Sequence, residues 1–438
     1  MTDQTKPRTS RQWAGAWFGL AAMMVAYSCV ILAARMPPPF VDLPDWVYQG
    51  VLFHGVLTGH PFAGYALKHY PIPNSTTTVA LGLLDSILPW QWAGKVWIVF
   101  YLGLSGFVSW VVLRVLAIDD WRAVVAMPGI VFVNLNFWYG HISFEFGVLL
   151  VLLLLAMLVR GSSTPWLAAM MTLIFFTHME ACACALLLLG VWCAMTRDWK
   201  RMSAALPTVA LTVWYMAARF GGGNADARGI PLPDYKYGSG AFLVYKANTF
   251  FKTFAYVNAR MKSGPSLSEA ILGKGVFVAL ILASLVLAIL CLTQISRAVL
   301  AAYLDGNSPL PRRVVAWFVA ALLLVSVLLP QIWLGVADPG SRLLLMAAAG
   351  GLLLIDWRGR SGLGIAILSA IFCLANLFQL ARVEQNPEMK GAPRDLPAAL
   401  LLYGHVELET RLQYYDALQD GKMDAPIFPT ALFIRDSK

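Results

Sequence analysis

Apolar residues in this chain come in runs of helical length, separated by short gaps that hold much of the charge. The runs fall at about 13–35, 95–115, 123–138, 142–159, 165–178, 180–196, 203–219, 271–296, 314–334, 343–356 and 362–381. A helix of about 20 apolar residues crosses a bilayer, so the pattern predicts an all-α polytopic membrane protein with about eleven spans, several of them short. The run after Lys6, Arg8 and Arg11 is too long for a signal-peptide core and reads as an uncleaved first span.

One apolar segment, Ser75 to Pro89, holds Asp85 and opens with three threonines. Charge decides its place. If it does not span, Lys6/Arg8/Arg11, Arg114/Arg122, Arg160, Arg197/Lys200/Arg201, Arg297/Arg312/Arg313 and Arg358/Arg360 all fall on one side, as cytoplasmic loops require. If it spans, every later loop changes side and the rule fails repeatedly. The segment is therefore expected to be a juxtamembrane or re-entrant helix on the outer face.

This scheme divides the chain into a cytoplasmic N-terminus at 1–12, a transmembrane domain at 13–381 and an outer C-terminal tail at 382–438. Outer loops run over about 36–94 and 220–270. A bacterial inner membrane is the expected location, with the tail in the periplasm.

Composition agrees. The 438 residues are 59% hydrophobic and only 13% charged, against about 25% charged in soluble domains. The net charge of +9 is explained by the cytoplasmic gaps, not by nucleic-acid binding. All six cysteines lie in apolar runs, with no pattern for a zinc site or disulfide framework. No phosphate-binding loop, nucleophile elbow or zinc-protease motif occurs.

Polar residues of chemical interest collect at the predicted outer face. Asp42 and Asp45 follow the first span, and His54 and His60 lie on the amphipathic stretch after them. Lys68, His69 and Tyr70 precede the re-entrant helix. Asn136, His141 and Glu145 mark one outer hairpin, His178 and Glu180 the next. Arg219 ends a span there, and Asp338 and Arg342 occupy a short late loop. Ionisable groups near hydrocarbon are costly and usually face a cavity or a partner. The predicted cytoplasmic face instead carries arginines with a few acids, Asp119, Asp120, Asp198 and Asp356. Asp45 suits the N-cap of a helix over Trp46–Leu57, which leaves Asp42 without a structural task.

Over about 13–381 the chain resembles the GT-C fold glycosyltransferases, polytopic enzymes that use polyprenyl-phosphate-linked sugars. Four features carry the likeness. Asp42 follows the first span in Asp-Leu-Pro-Asp-Trp. His69-Tyr70-Pro71-Ile-Pro73 opens the second juxtamembrane helix. Asn136-Phe-Trp-Tyr-Gly140-His141 closes a helix pair, and Arg342 ends a late outer loop. The spaced acids Asp42 and Asp45 depart from the adjacent pair found in many relatives.

The resemblance implies an inverting transfer of a sugar from a polyprenyl-phosphate donor to a glycan, lipid or protein acceptor. Asp42, in preference to Asp45, would be the general base. Arg342 would meet the phosphate, helped by Lys68, His69, Tyr70 and Arg219. His54, Asn136, His141, Glu145, His178 and Glu180 would shape the pocket. Asp42 and Asp45 with nearby histidines could hold a divalent cation, Mg²⁺ or Mn²⁺, although no full ligand set is visible. A lipid-linked glycan polymerase or ligase and a transporter or flippase are the alternatives, the last expected to show inverted repeats and broken helices.

Overall fold

The computed structural model describes residues 11–34, 42–138, 140–220, 246, 272–305, 307–330, 332–333, 336–337, 339–383, 414, 417–418, 420–421, 423 and 432–435. The expectations for the 220–270 loop, for Asp338 and for most of the tail lie outside the described residues.

Helices dominate because a backbone in hydrocarbon must satisfy its own hydrogen bonds. In chain order they are α1 (Arg11–Ala33), α2 (Leu43–Leu57), α3 (Ser75–Asp85), α4 (Trp90–Val115) and α5 (Trp121–Met127), which runs into a π-turn at Pro128–Phe132. Next come α6 (Leu135–Trp138), α7 (Ile142–Val159), α8 (Thr164–Thr177), α9 (Met179–Thr196) and α10 (Leu206–Phe220). The last four are α11 (Lys274–Leu304), α12 (Leu310–Leu328), α13 (Pro339–Leu352) and α14 (Arg360–Val383). Strand β1 (Tyr65–Leu67) pairs antiparallel with β4 (Phe433–Arg435), and β2 (Ile332–Trp333) with β3 (Val336–Ala337).

Among the described residues, seven helices are long and apolar enough to cross a membrane: α1, α4, α7, α9, α11, α12 and α14. The chain is thus an all-α, multi-pass membrane protein. The other four predicted spans fold as shorter helices, α5, α8, α10 and α13, of 7, 14, 15 and 14 residues. The predicted span over 123–138 is not one helix: α5 passes into the π-turn, and the chain then folds into the short α6. The 11 residues of α3 rise only about 16 Å, half of a hydrocarbon core of about 30 Å.

Burial ranks the helices. The apolar window of α7 is 83% buried and that of α1 only 17%, so α7 is central and α1 peripheral. Around α7 pack α4, α8 and α9. Large apolar side chains such as Phe18, Phe100, Phe107, Leu282 and Leu285 are exposed on the outside of the bundle. That surface suits lipid, where such side chains need no cover.

Contacts at the helix ends fix the up-and-down arrangement. Lys95 at the start of α4 donates to the carbonyls of Leu32 and Ala34 at the end of α1. Arg114 at the other end of α4 lies over the ring of Trp13, 5.2 Å from its centroid. Arg122 at the start of α5 donates to the Trp357 carbonyl. Arg312 at the start of α12 donates to the Leu354 carbonyl at 2.9 Å. Arg201 pairs with Asp198 at 2.9 Å. These arginines mark one end of the bundle; Asp42, His141, His178 and Arg342 mark the other.

Helices α2 and α3 run parallel and touch at glycines. A Cβ added at Gly50 would lie 2.7 Å from the Leu81 Cβ, and one at Gly82 would lie 2.9 Å from the Gly50 carbonyl oxygen. Only this pair of missing side chains lets the two backbones approach so closely.

Candidate functional site

The first centre forms where α2 and α7 begin. Helix α2 starts at Leu43 with Pro44 in its first turn, and Asp42 occupies the N-cap position without a side-chain cap bond. Proline favours a helix's opening positions, so the helix starts earlier than expected. The expectation that Asp45 caps a helix from Trp46 is therefore corrected. Asp45 lies inside the first turn, 2% exposed, and accepts from Gln49 Nε2 at 2.7 Å.

Asp42 instead faces His141, with Oδ2 3.5 Å from Nε2 and both side chains about a quarter exposed. The position of His141 follows from local backbone chemistry. Asn134 Oδ1 accepts the backbone N–H of Asn136 at 2.7 Å and of Phe137 at 3.4 Å, capping α6. Gly140, at φ 70°, closes that short helix. Its N–H donates to Phe137 and that of His141 to Asn136, at 3.0 and 2.9 Å. These two bonds form a Schellman motif, which favours glycine at the left-handed position. The motif places His141 Nδ1 3.0 Å from Asn136 Oδ1.

One turn into α7, Glu145 turns inward and is fully buried. Tyr101 of α4 donates to its Oε2 at 2.9 Å. A row of hydroxyls beside it ties the short helix α3 to its neighbours. Thr78 Oγ1 donates to Gln49 at 3.2 Å, Ser143 Oγ to Thr77 at 2.7 Å, and Thr177 Oγ1 to Thr76 at 3.4 Å. The three threonines thus each face a different element: α2, α7 and the end of α8.

The second centre joins α9 to α13. Arg342 Nη1 lies 3.1 Å from Glu180 Oε2, with both side chains about seven-eighths buried. His178 caps α9, its Nδ1 accepting the Glu180 N–H at 3.3 Å. Burial, and secondly the Arg342 cation, hold His178 well below its ordinary imidazole pKa. Its ring also packs edge-on against Phe144 of α7 at 5.2 Å, linking this centre to the first.

The third is a cation–aromatic row. Lys68 Nζ is 6.0 Å from the Tyr70 ring, Tyr70 is 6.2 Å from Tyr215, and the Arg219 guanidinium is 5.7 Å from the Tyr215 ring. Arg219 also donates to the Tyr215 hydroxyl.

Two expected members stand apart. His54 lies 12 residues after Asp42, about 18 Å along α2. Its Nδ1 pairs with Ser86 Oγ at 3.0 Å. Beside it Asp85 is held above its ordinary value by burial, partly offset by His54. His69 is exposed. Asp42 and Asp45 turn to different partners, His141 and Gln49. Among the described residues no three His, Cys, Asp or Glu side chains converge as metal ligands would.

Sequence reasoning missed Tyr101, Asn134, Tyr215 and the threonine contacts. A hydroxyl inside an apolar run was the available signal for the two tyrosines, because a polar group there needs a partner.

No family model, curated protein or solved structure matches the chain. Fold and geometry together define an all-α polytopic membrane protein with polar centres at one end of its bundle.

Proposed function

We propose that this chain is an inverting glycosyltransferase of GT-C type, moving a sugar from a polyprenyl-phosphate-linked donor to an acceptor hydroxyl. The observation that carries the reading is Asp42: an accessible carboxylate at the exit of the first span, in the N-cap position yet making no cap bond, and oriented by His141.

In this reading the acceptor oxygen attacks the anomeric carbon as its proton passes to Asp42, a general base. The bond from that carbon to the phosphate oxygen breaks, and its electron pair leaves with the phosphate. Arg342 meets the growing charge. Its present partner, Glu180, would have to yield or share it. Lys68, Tyr70, Tyr215 and Arg219 would hold the remainder of the donor head. The acceptor is a glycan, a lipid or a protein.

We also propose a bacterial inner membrane, with the arginine-rich end in the cytoplasm and the Asp42 end outside. The four shorter helices would then complete about eleven crossings, the number read from the apolar runs. Support comes from Arg114, Arg122, Arg201 and Arg312 all lying at one end of the bundle.

The test is transfer of radiolabelled sugar from a panel of polyprenyl-phosphate donors in proteoliposomes. Wild type is expected to transfer from at least one donor, and Arg342→Ala to raise the donor KM. Absence of transfer across the panel would move the reading to a transporter or a non-catalytic subunit.

A further inference from the structure

At the arginine-rich end, far from Asp42, an apolar groove of about 500 Å³ opens on the outside of the bundle. Its walls come from α1, α5 and α14, including Gly15, Gly19, Trp121, Pro128 and Leu374. Along α1 it runs from Gln12 to Met23, about 17 Å of helix rise, close to the ~15 Å depth of one leaflet's hydrocarbon. A Cβ at Gly15 or Gly19 would meet no atom within 4 Å, so the space above them is open.

Two arginines lie beside the lining residues rather than in the wall itself, and one of them, Arg122, also donates to the Trp357 carbonyl. The Arg122 guanidinium is 5.7 Å from the ring of the groove-lining Trp121. Next to Gln12, Trp13 carries Arg114 at 5.2 Å, which also lies 5.7 Å from Trp110. A groove one leaflet deep, apolar along its length and with Arg122 beside the lining Trp121, matches a single amphiphile with a negative head.

We propose that this groove binds one anionic phospholipid from the surrounding bilayer, with an acyl chain along Gly15 and Gly19 and its phosphate between Arg122 and Arg114. The length of the groove selects a chain confined to one leaflet. The two arginines select the headgroup, since guanidinium groups suit phosphate oxygens. This site is independent of sugar transfer.

The test uses the full chain in nanodiscs of phosphatidylglycerol mixed equally with phosphatidylcholine, followed by native mass spectrometry. Wild type is expected to retain one phosphatidylglycerol. Gly15→Leu with Gly19→Leu, which fills open space, is expected to lose it. Arg122→Gln is expected to lower the preference for phosphatidylglycerol about fivefold. Equal retention of both lipids by wild type would overturn the proposal, as would unchanged retention in the filled variant. Should the double variant fail to fold, a nitroxide on Gly19→Cys is expected to be broadened by chain-labelled phosphatidylglycerol. No broadening, or a disulfide-linked dimer through Gly15→Cys, would contradict the assignment.

Discussion

Arg342 of α13 and Glu180 of α9, 162 positions apart in sequence, meet at 3.1 Å in a mostly buried pair. The pair fastens two helices that no loop connects directly. The Arg342 cation also helps to hold His178 below its ordinary pKa. Arg342→Ala would take this guanidinium away from the mostly buried Glu180 carboxylate, a loss of about 1–3 kcal/mol. Thermal unfolding in detergent is expected to show this loss for Arg342→Ala and a smaller one for Glu180→Gln, which keeps a hydrogen-bonding group.

His178 makes stability depend on pH. Burial holds its folded pKa well below 6.5, the ordinary value. Between the two values the unfolded chain binds a proton that the folded chain does not. The contribution of neutral His178 is therefore fully present above about pH 6.5 and falls as the medium is acidified toward the folded pKa. Unfolding midpoints from pH 7.5 to pH 5 are expected to fall for wild type. His178→Asn keeps a capping side chain without an imidazole and should flatten part of that slope.

The crossing of α2 and α3 depends on Gly50 and Gly82 having no side chain. Gly50→Ala or Gly82→Ala would push the backbones apart, at a cost of about 1–3 kcal/mol. The same displacement would stretch the Gln49–Thr78 bond, now 3.2 Å. A lower unfolding midpoint in both variants checks this.

Tyr101 and Glu145 are coupled across α4 and α7 by a 2.9 Å hydrogen bond. A double-mutant cycle of Tyr101→Phe and Glu145→Gln is expected to give a coupling of roughly 0.5–2 kcal/mol, since polar pairs in membrane bundles are worth that order. Additive losses would mean that the hydroxyl stabilises something other than this carboxylate.

The apolar runs were legible because their length alone meets the demand of a bilayer, and α1, α7 and α9 lie close to the expected ranges. Ser75–Pro89, which the charge argument keeps out of the spans, contains the 11-residue helix α3. Asp45 was misread because capping was assigned from residue type, while Pro44 moved the helix start three residues earlier. Asn136 and His141 were legible as a hairpin; their mutual bond was not, because it depends on the Gly140 turn. Tyr215 joins Lys68 and Tyr70 to Arg219 only after α10 has packed, a long-range event with no local pattern. His54 was grouped with Asp42 by nearness in sequence, but a helix carries residues 12 positions apart to opposite ends of α2.

The most direct test of the central claim is the rate of sugar transfer by Asp42→Asn in proteoliposomes, at saturating donor and acceptor. A lost general base is expected to lower kcat by roughly 10²–10⁴-fold with insertion and unfolding midpoint unchanged. A wild-type rate in this variant would contradict the account.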